Sequence, residues 1–128
     1  MSPNPVVWFE LYVQDMDRAR KFYETVFQFK LEPLAAPDGT ATGTQMLAFP
    51  MAMDAPGSAG MLVKMDGVPS GGGGTLVYLR CDDCAAEQGR VVAAGGQIHK
   101  AKFSIGQYGQ IALVVDTEGN MIGLHSMQ

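Results

Sequence analysis

Two histidines, two cysteines and one tryptophan are few for 128 residues, and charge is thin as well, at 17%. The net charge is −4 with no basic run, which argues against nucleic acid or an anionic membrane surface as partner. No apolar stretch approaches the roughly 20 residues of a membrane span. The opening "MSPNPVVW" lacks the basic and apolar regions of a signal peptide, so the expected location is the cytoplasm. Both cysteines fall in "CDDC", Cys81 to Cys84. Zinc would need two further ligands, and no second Cys or His pair exists. A redox CxxC opens a helix in a thioredoxin-like order, whereas Cys81 reads as a strand end. Two reduced thiols are the simpler reading. The glycines of "PSGGGG" (69–74) lack the lysine and following helix of a phosphate loop and read as a linker.

What is present is an ordinary globular balance, 47% hydrophobic, at a length suited to a single domain over 1–128. "VVWFELYV" (6–13) alternates: Val7, Phe9, Leu11 and Val13 make an apolar face, and Trp8, Glu10 and Tyr12 the other. Asp15 then caps "MDRARKFYETVF", whose Ala19, Phe22, Tyr23 and Val26 form one helical stripe. "FKLEPLA", "TQMLAF" and "AGMLVKM" read as short strands between turns. After the linker the pattern restarts. "TLVYLRC" puts Val77, Leu79 and Cys81 on one face and Leu76, Tyr78 and Arg80 on the other. Asp83 caps "CAAEQGRVVAA", and Gly95-Gly96 closes that helix. "QIHKAKF", "QIALVVD" and "NMIGLHS" complete the unit. In "VVDTEGNMIGLHS", Asp116 and Asn120 bracket a tight turn whose Gly119 supplies positive φ.

Asp15 and Asp83 lie 68 residues apart, as do Trp8 and Leu76, and Ala59-Gly60-Met61 is echoed by Ile122-Gly123-Leu124. The chain therefore reads as an internal duplication: module one at about 5–67, linker 68–74, module two 75–128. The expected fold class is α+β, with the apolar strand faces under the helices. The mixed faces would line a concave interior: Trp8, Glu10, Tyr12, Gly60, Leu62, Lys64, Leu76, Tyr78, Arg80, Met121, Gly123 and His125. Polar and aromatic groups converging in an apolar cavity are the usual makeup of a small-molecule site.

"WFELYVQDMDRARKFYETVF", "TLVYLRCDDCAAEQGRVVAAGG" and "GQIALVVDTEGNMIGLHS" resemble the vicinal oxygen chelate superfamily, which includes glyoxalase I, bleomycin-resistance proteins and extradiol dioxygenases. The resemblance covers nearly the whole chain and is nearest to small bacterial glyoxalase-related proteins. It implies two tandem βαβββ modules forming an open eight-stranded mixed barrel with helices outside, and a homodimer. In metal-using members His, Gln or Glu on the first strand and Glu on the last strand of each module bind the ion. The matching positions here are Trp8, Gly60, Leu76 and Gly123, none of which ligates through its side chain. No metal and no other cofactor is therefore expected. Glu10 and His125 stand about 7 Å along their strands from two of those positions, too few donors for a metal site.

Two functions compete. One is a metal-independent binding protein of the bleomycin-resistance type that holds an apolar or aromatic ligand. Trp8, Tyr12 and Tyr78 would pack on it, with Glu10 and Arg80 fixing its polar groups. The other is a metal-free lyase or isomerase using Glu10 and/or His125 as acid–base groups. No nucleophile constellation is legible, since Ser104 and Ser126 have no evident base beside them.

Overall fold

The computed structural model of the chain describes residues 4 and 6–128. β1 (Trp8–Tyr12) runs into α1 (Met16–Phe27), then β2 (Glu32–Pro33), β3 (Gln45–Ala48) and β4 (Ala59–Lys64). Beyond the linker come β5 (Val77–Arg80), α2 (Cys84–Val91), β6 (Gln97–Ser104), a 3-10 turn at Gly106–Tyr108, β7 (Gln110–Val115) and β8 (Met121–Ser126). The tandem βαβββ order is as the sequence reads. The strands divide into two four-stranded mixed sheets, β1-β4-β3-β2 and β5-β8-β7-β6, in which the first strand of each module pairs parallel with its last. Within the chain the two sheets are separate, and β1 and β5 are edge strands.

Both helices start where a side chain accepts an orphan N–H: Asp15 takes that of Arg18, and Asp83 that of Ala85. α1 buries Met16, Ala19, Phe22, Tyr23 and Val26, the periodic stripe plus its first residue. A hairpin end holds α2 as well, because the Ser126 hydroxyl accepts the Cys84 N–H at 3.0 Å. The helices pack on each other as well as on their sheets, and one core runs through both modules from Val13 and Phe22 to Cys84, Ile122 and Leu124. Each helix thus packs one side against its module's sheet and leaves its polar side to solvent. The sheet faces opposite the helices look outward as well.

The modules are joined through the β7–β8 turn. Glu118 has a fully buried side chain, 0% exposed. It accepts the backbone N–H groups of Gln14 at 2.8 Å and Asp15 at 3.0 Å, and the Arg18 guanidinium at 2.7 and 3.0 Å. A carboxylate from module two therefore sits at the N-terminus of α1, where the helix end favours negative charge. Its neighbour Asp116 accepts the Tyr23 hydroxyl at 2.6 Å and the N–H groups of Glu118 and Asn120, each at 2.8 Å. The Asn120 amide donates to the Tyr12 carbonyl at 2.8 Å. Burial pushes the Asp116 carboxyl and, further, the Tyr23 phenol upward. Burial also pushes Glu118 up, but the Arg18 guanidinium and the Asp15 and Gln14 N–H groups outweigh it and bring the carboxyl down to about 2.

Glu118→Ala is expected to cost about 2–4 kcal/mol at pH 7, because it leaves two backbone N–H groups and a guanidinium without their acceptor. A carboxyl at about 2 when folded, against an ordinary 4.5, gives stability that is full above 4.5 and fades as pH falls toward 2. Urea unfolding at pH 7 and pH 3 checks this. The gap between wild type and variant should narrow at pH 3, and a variant as stable as wild type at pH 7 contradicts it.

Candidate functional site

Strand alternation sends Trp8, Glu10 and Tyr12 to the face of β1 away from α1. There the Trp8 indole N–H donates to Glu10 Oε2 at 3.2 Å, and the Tyr12 hydroxyl donates to Glu10 Oε1 at 2.8 Å. Residues spaced by two on one strand thus clamp a carboxylate between two aromatic donors. The bond to Glu10, with burial adding to it, holds the Tyr12 phenol above its ordinary range, so it stays a donor. On β5, Tyr78 and Arg80 face outward in the same way. Tyr78 is in parallel register with Gly123, and a Cβ at 123 would fall 2.2 Å from Tyr78 Cδ1. The ring therefore lies flat on the β8 backbone with its other side open, and the residue is 46% exposed. Trp8 is 38% exposed. Between the β1 and β5 edges runs a groove of about 830 Å3, lined by Trp8, Glu10, Leu76, Tyr78 and Arg80 and roofed by Pro50, Pro56 and Gly57.

The remaining expected site residues lie elsewhere. Tyr12 shares only a small cleft of about 170 Å3 with Glu10. Met121 and Leu76 line a shallow depression of about 400 Å3 beside the glycine linker. His125 shares a third groove, of about 670 Å3, with Tyr78 and Arg80. Its Nε2 lies 2.7 Å from the Tyr108 carbonyl, an acceptor only, so Nε2 carries the proton and donates it there. Glu10 and His125 thus line different grooves.

Gly60 is corrected by the register. It stands opposite Phe9 and shares the helix-covered face, where its missing side chain lets the Phe9 ring come within 2.4 Å of the Cβ position. Leu62 likewise belongs to the core, fully buried. Lys64 pairs at the surface with Asp66. β4 lies between β1 and β3 and is apolar on both faces, so "AGMLVKM" has no alternation from which to read its orientation. Opposite Glu10 stands Met61, as Gly123 stands opposite Tyr78, so Met61 and not Gly60 matches Gly123. Neither is a carboxylate. Nor do the two glycines leave open room, because aromatic rings occupy it. The groove's roof over residues 50–57 was not legible, since a Pro- and Met-rich loop has no periodicity to place it.

Among the described residues no three His, Cys, Asp or Glu side chains come together as a metal site. Cys81 and Cys84 are free and buried. Burial first, and Glu87 beside it, push the Cys81 thiol up to about 12, which suits packing and not nucleophilic or redox chemistry.

The glycines offer a paired test. Gly60→Ala should cost about 1–3 kcal/mol, because Phe9 is held against Phe49 with ring centroids 5.5 Å apart and cannot swing clear. Gly123→Ala should cost less than about 1 kcal/mol, because the exposed Tyr78 ring can rotate away. Chemical denaturation of both variants checks the order, and the reverse order contradicts this geometry.

The family model described as "Glyoxalase/Bleomycin resistance protein/Dioxygenase superfamily" matches residues 6–124. A Mycobacterium tuberculosis (strain CDC 1551 / Oshkosh) protein, "Putative glyoxylase CFP32", is 29% identical over 131 residues; the match covers 96% of this chain and 44% of that protein. The chain thus spans less than half the length of that curated relative. Among solved structures, TnmS3, an antibiotic binding protein from Streptomyces sp. CB03234, is 29% identical with a TM-score of 0.62 and 98% of each chain covered. Glyoxalase I from Zea mays shares the fold, with a TM-score of 0.72 at 23% identity over 99% of this chain and 47% of its own. With its βαβββ modules and nearly its full length matched, the chain belongs to the glyoxalase/bleomycin resistance protein/dioxygenase superfamily.

Proposed function

We propose that this protein binds a small apolar or aromatic molecule without a metal, in the groove between β1 and β5. The observation that carries the reading is the pair of exposed aromatic surfaces, Trp8 on one wall and Tyr78 on the other, in a groove with one carboxylate and one guanidinium. Aromatic walls supply most of the contact area for such a ligand, and a few placed polar groups fix its orientation. TnmS3, similar over 98% of both chains, is an antibiotic-binding protein and supports a binding role. Trp8, Met61, Leu76 and Gly123, in the strand positions where metal-using relatives hold their ions, carry no carboxylate or imidazole. An acid–base role for Glu10 and His125 draws less support. Glu10 already holds a proton donor on each oxygen, and the His125 Nε2 proton is committed to Tyr108. A thermal-shift screen of aromatic antibiotics and related planar compounds should yield hits. Trp8→Ala should weaken those hits by roughly 1–3 kcal/mol. Hits unaffected by that variant would put the site elsewhere.

The unpaired edges of β1 and β5 and the outward sheet faces also favour a homodimer, in which a second copy would cover part of this surface. Sedimentation equilibrium at micromolar concentration should give twice the chain mass. A single-chain mass contradicts the dimer.

A further inference from the structure

Resting on the proposed groove, we infer that its ligand is a planar aromatic molecule carrying an acidic group, held with that group toward Arg80. Among the described residues Glu10 and Arg80 are the only charged side chains lining the groove, one on each wall. Their hydrogen-bonding states differ. Glu10 has a donor on each oxygen, from Trp8 and Tyr12. Among the described residues Arg80 makes neither an ion pair nor a side-chain hydrogen bond, whereas the guanidinium groups of Arg18, Arg20 and Arg90 each have an acceptor. Its guanidinium turns toward the roof loop, with Nη2 4.0 Å from where a Cβ on Gly57 would stand, so it borders the groove. A planar fork of donors without an acceptor matches a carboxylate or another planar oxyanion.

The flatness of the ligand follows from Tyr78. Gly123 lets that ring lie flush on the strand, and the open side is a platform two residues before Arg80 on the same face of β5. An aromatic ring stacked there brings an acidic substituent to the guanidinium. The like charge of Glu10 disfavours the opposite orientation, with the acid on the β1 wall. Attraction at one wall and repulsion at the other select one pose for one class of ligand.

The test uses 2-naphthoate, its neutral amide naphthalene-2-carboxamide, and the cation 2-naphthylmethylammonium. Binding is read at pH 7.5 from the side-chain N–H resonance of Trp8, the only tryptophan in the chain, in ¹⁵N-labelled protein. The acid should bind about tenfold more tightly than the amide, and Arg80→Met should erase that difference. Glu10→Gln should tighten the acid by about threefold, since it removes a like charge and keeps an acceptor for Trp8. The backbone resonances of the same samples report that each variant is folded. An amide that binds as tightly as the acid, a cation that binds best, or a preference that survives Arg80→Met overturns the inference and leaves the groove as a binding site. If none of the three probes moves the Trp8 resonance, the groove reading fails as well.

Discussion

Two buried carboxylates in one tight turn hold this fold together. Asp116 and Glu118 are neither on a helix nor in the apolar core, yet they connect the C-terminal hairpin to the start of α1 and to Tyr23, while Asn120 of the same turn reaches the end of β1. Burying a carboxylate is costly unless its lone pairs are filled, and here N–H, O–H and guanidinium donors from three segments fill them. The module one counterpart of this turn, residues 49–58, makes no such bridge and instead roofs the groove. The pseudo-repeat is therefore asymmetric in its energetics. Module two supplies the fastening, and module one supplies the helix end that is fastened.

That asymmetry bears on the site. With α1 and α2 packed together and the β7–β8 turn fixed on α1, the β1 and β5 edges border one groove without hydrogen-bonding to each other. The helix-covered faces supply the core and, through Phe9 and Leu79, part of the groove lining, while Trp8, Glu10, Tyr78 and Arg80 are left outward. Each module also uses a glycine to seat an aromatic ring from the neighbouring parallel strand, but on opposite sides. Phe9 on Gly60 completes the core, and Tyr78 on Gly123 builds the outer platform.

Much of this was legible in the residues. Strict alternation in "VVWFELYV" and "TLVYLRC" separated the two faces of the first strand of each module, Asp15 with its helical stripe marked α1, and Asp83 marked the start of α2. The strand β4 was legible but its orientation was not, because burial on both faces erases the period that reveals orientation. The Gly60/Gly123 echo was therefore aligned one residue out of register. Tyr23 and Glu118 looked like a core aromatic and a turn acid. Their partners lie about a hundred residues away in sequence, and no local pattern carries such a pairing. Arg80 was singled out among polar groups on a mixed strand face. Its lack of an ion-pair partner emerges only once every neighbour is in place.

The central claim is that the outward surface between Trp8 and Tyr78 is where a small molecule sits. The most direct measurement is a crystal structure of the protein with a compound that stabilises it. Electron density for that compound in van der Waals contact with both Trp8 and Tyr78 is the predicted result. Density for the compound bound elsewhere, with the β1–β5 groove holding only solvent, would contradict the account.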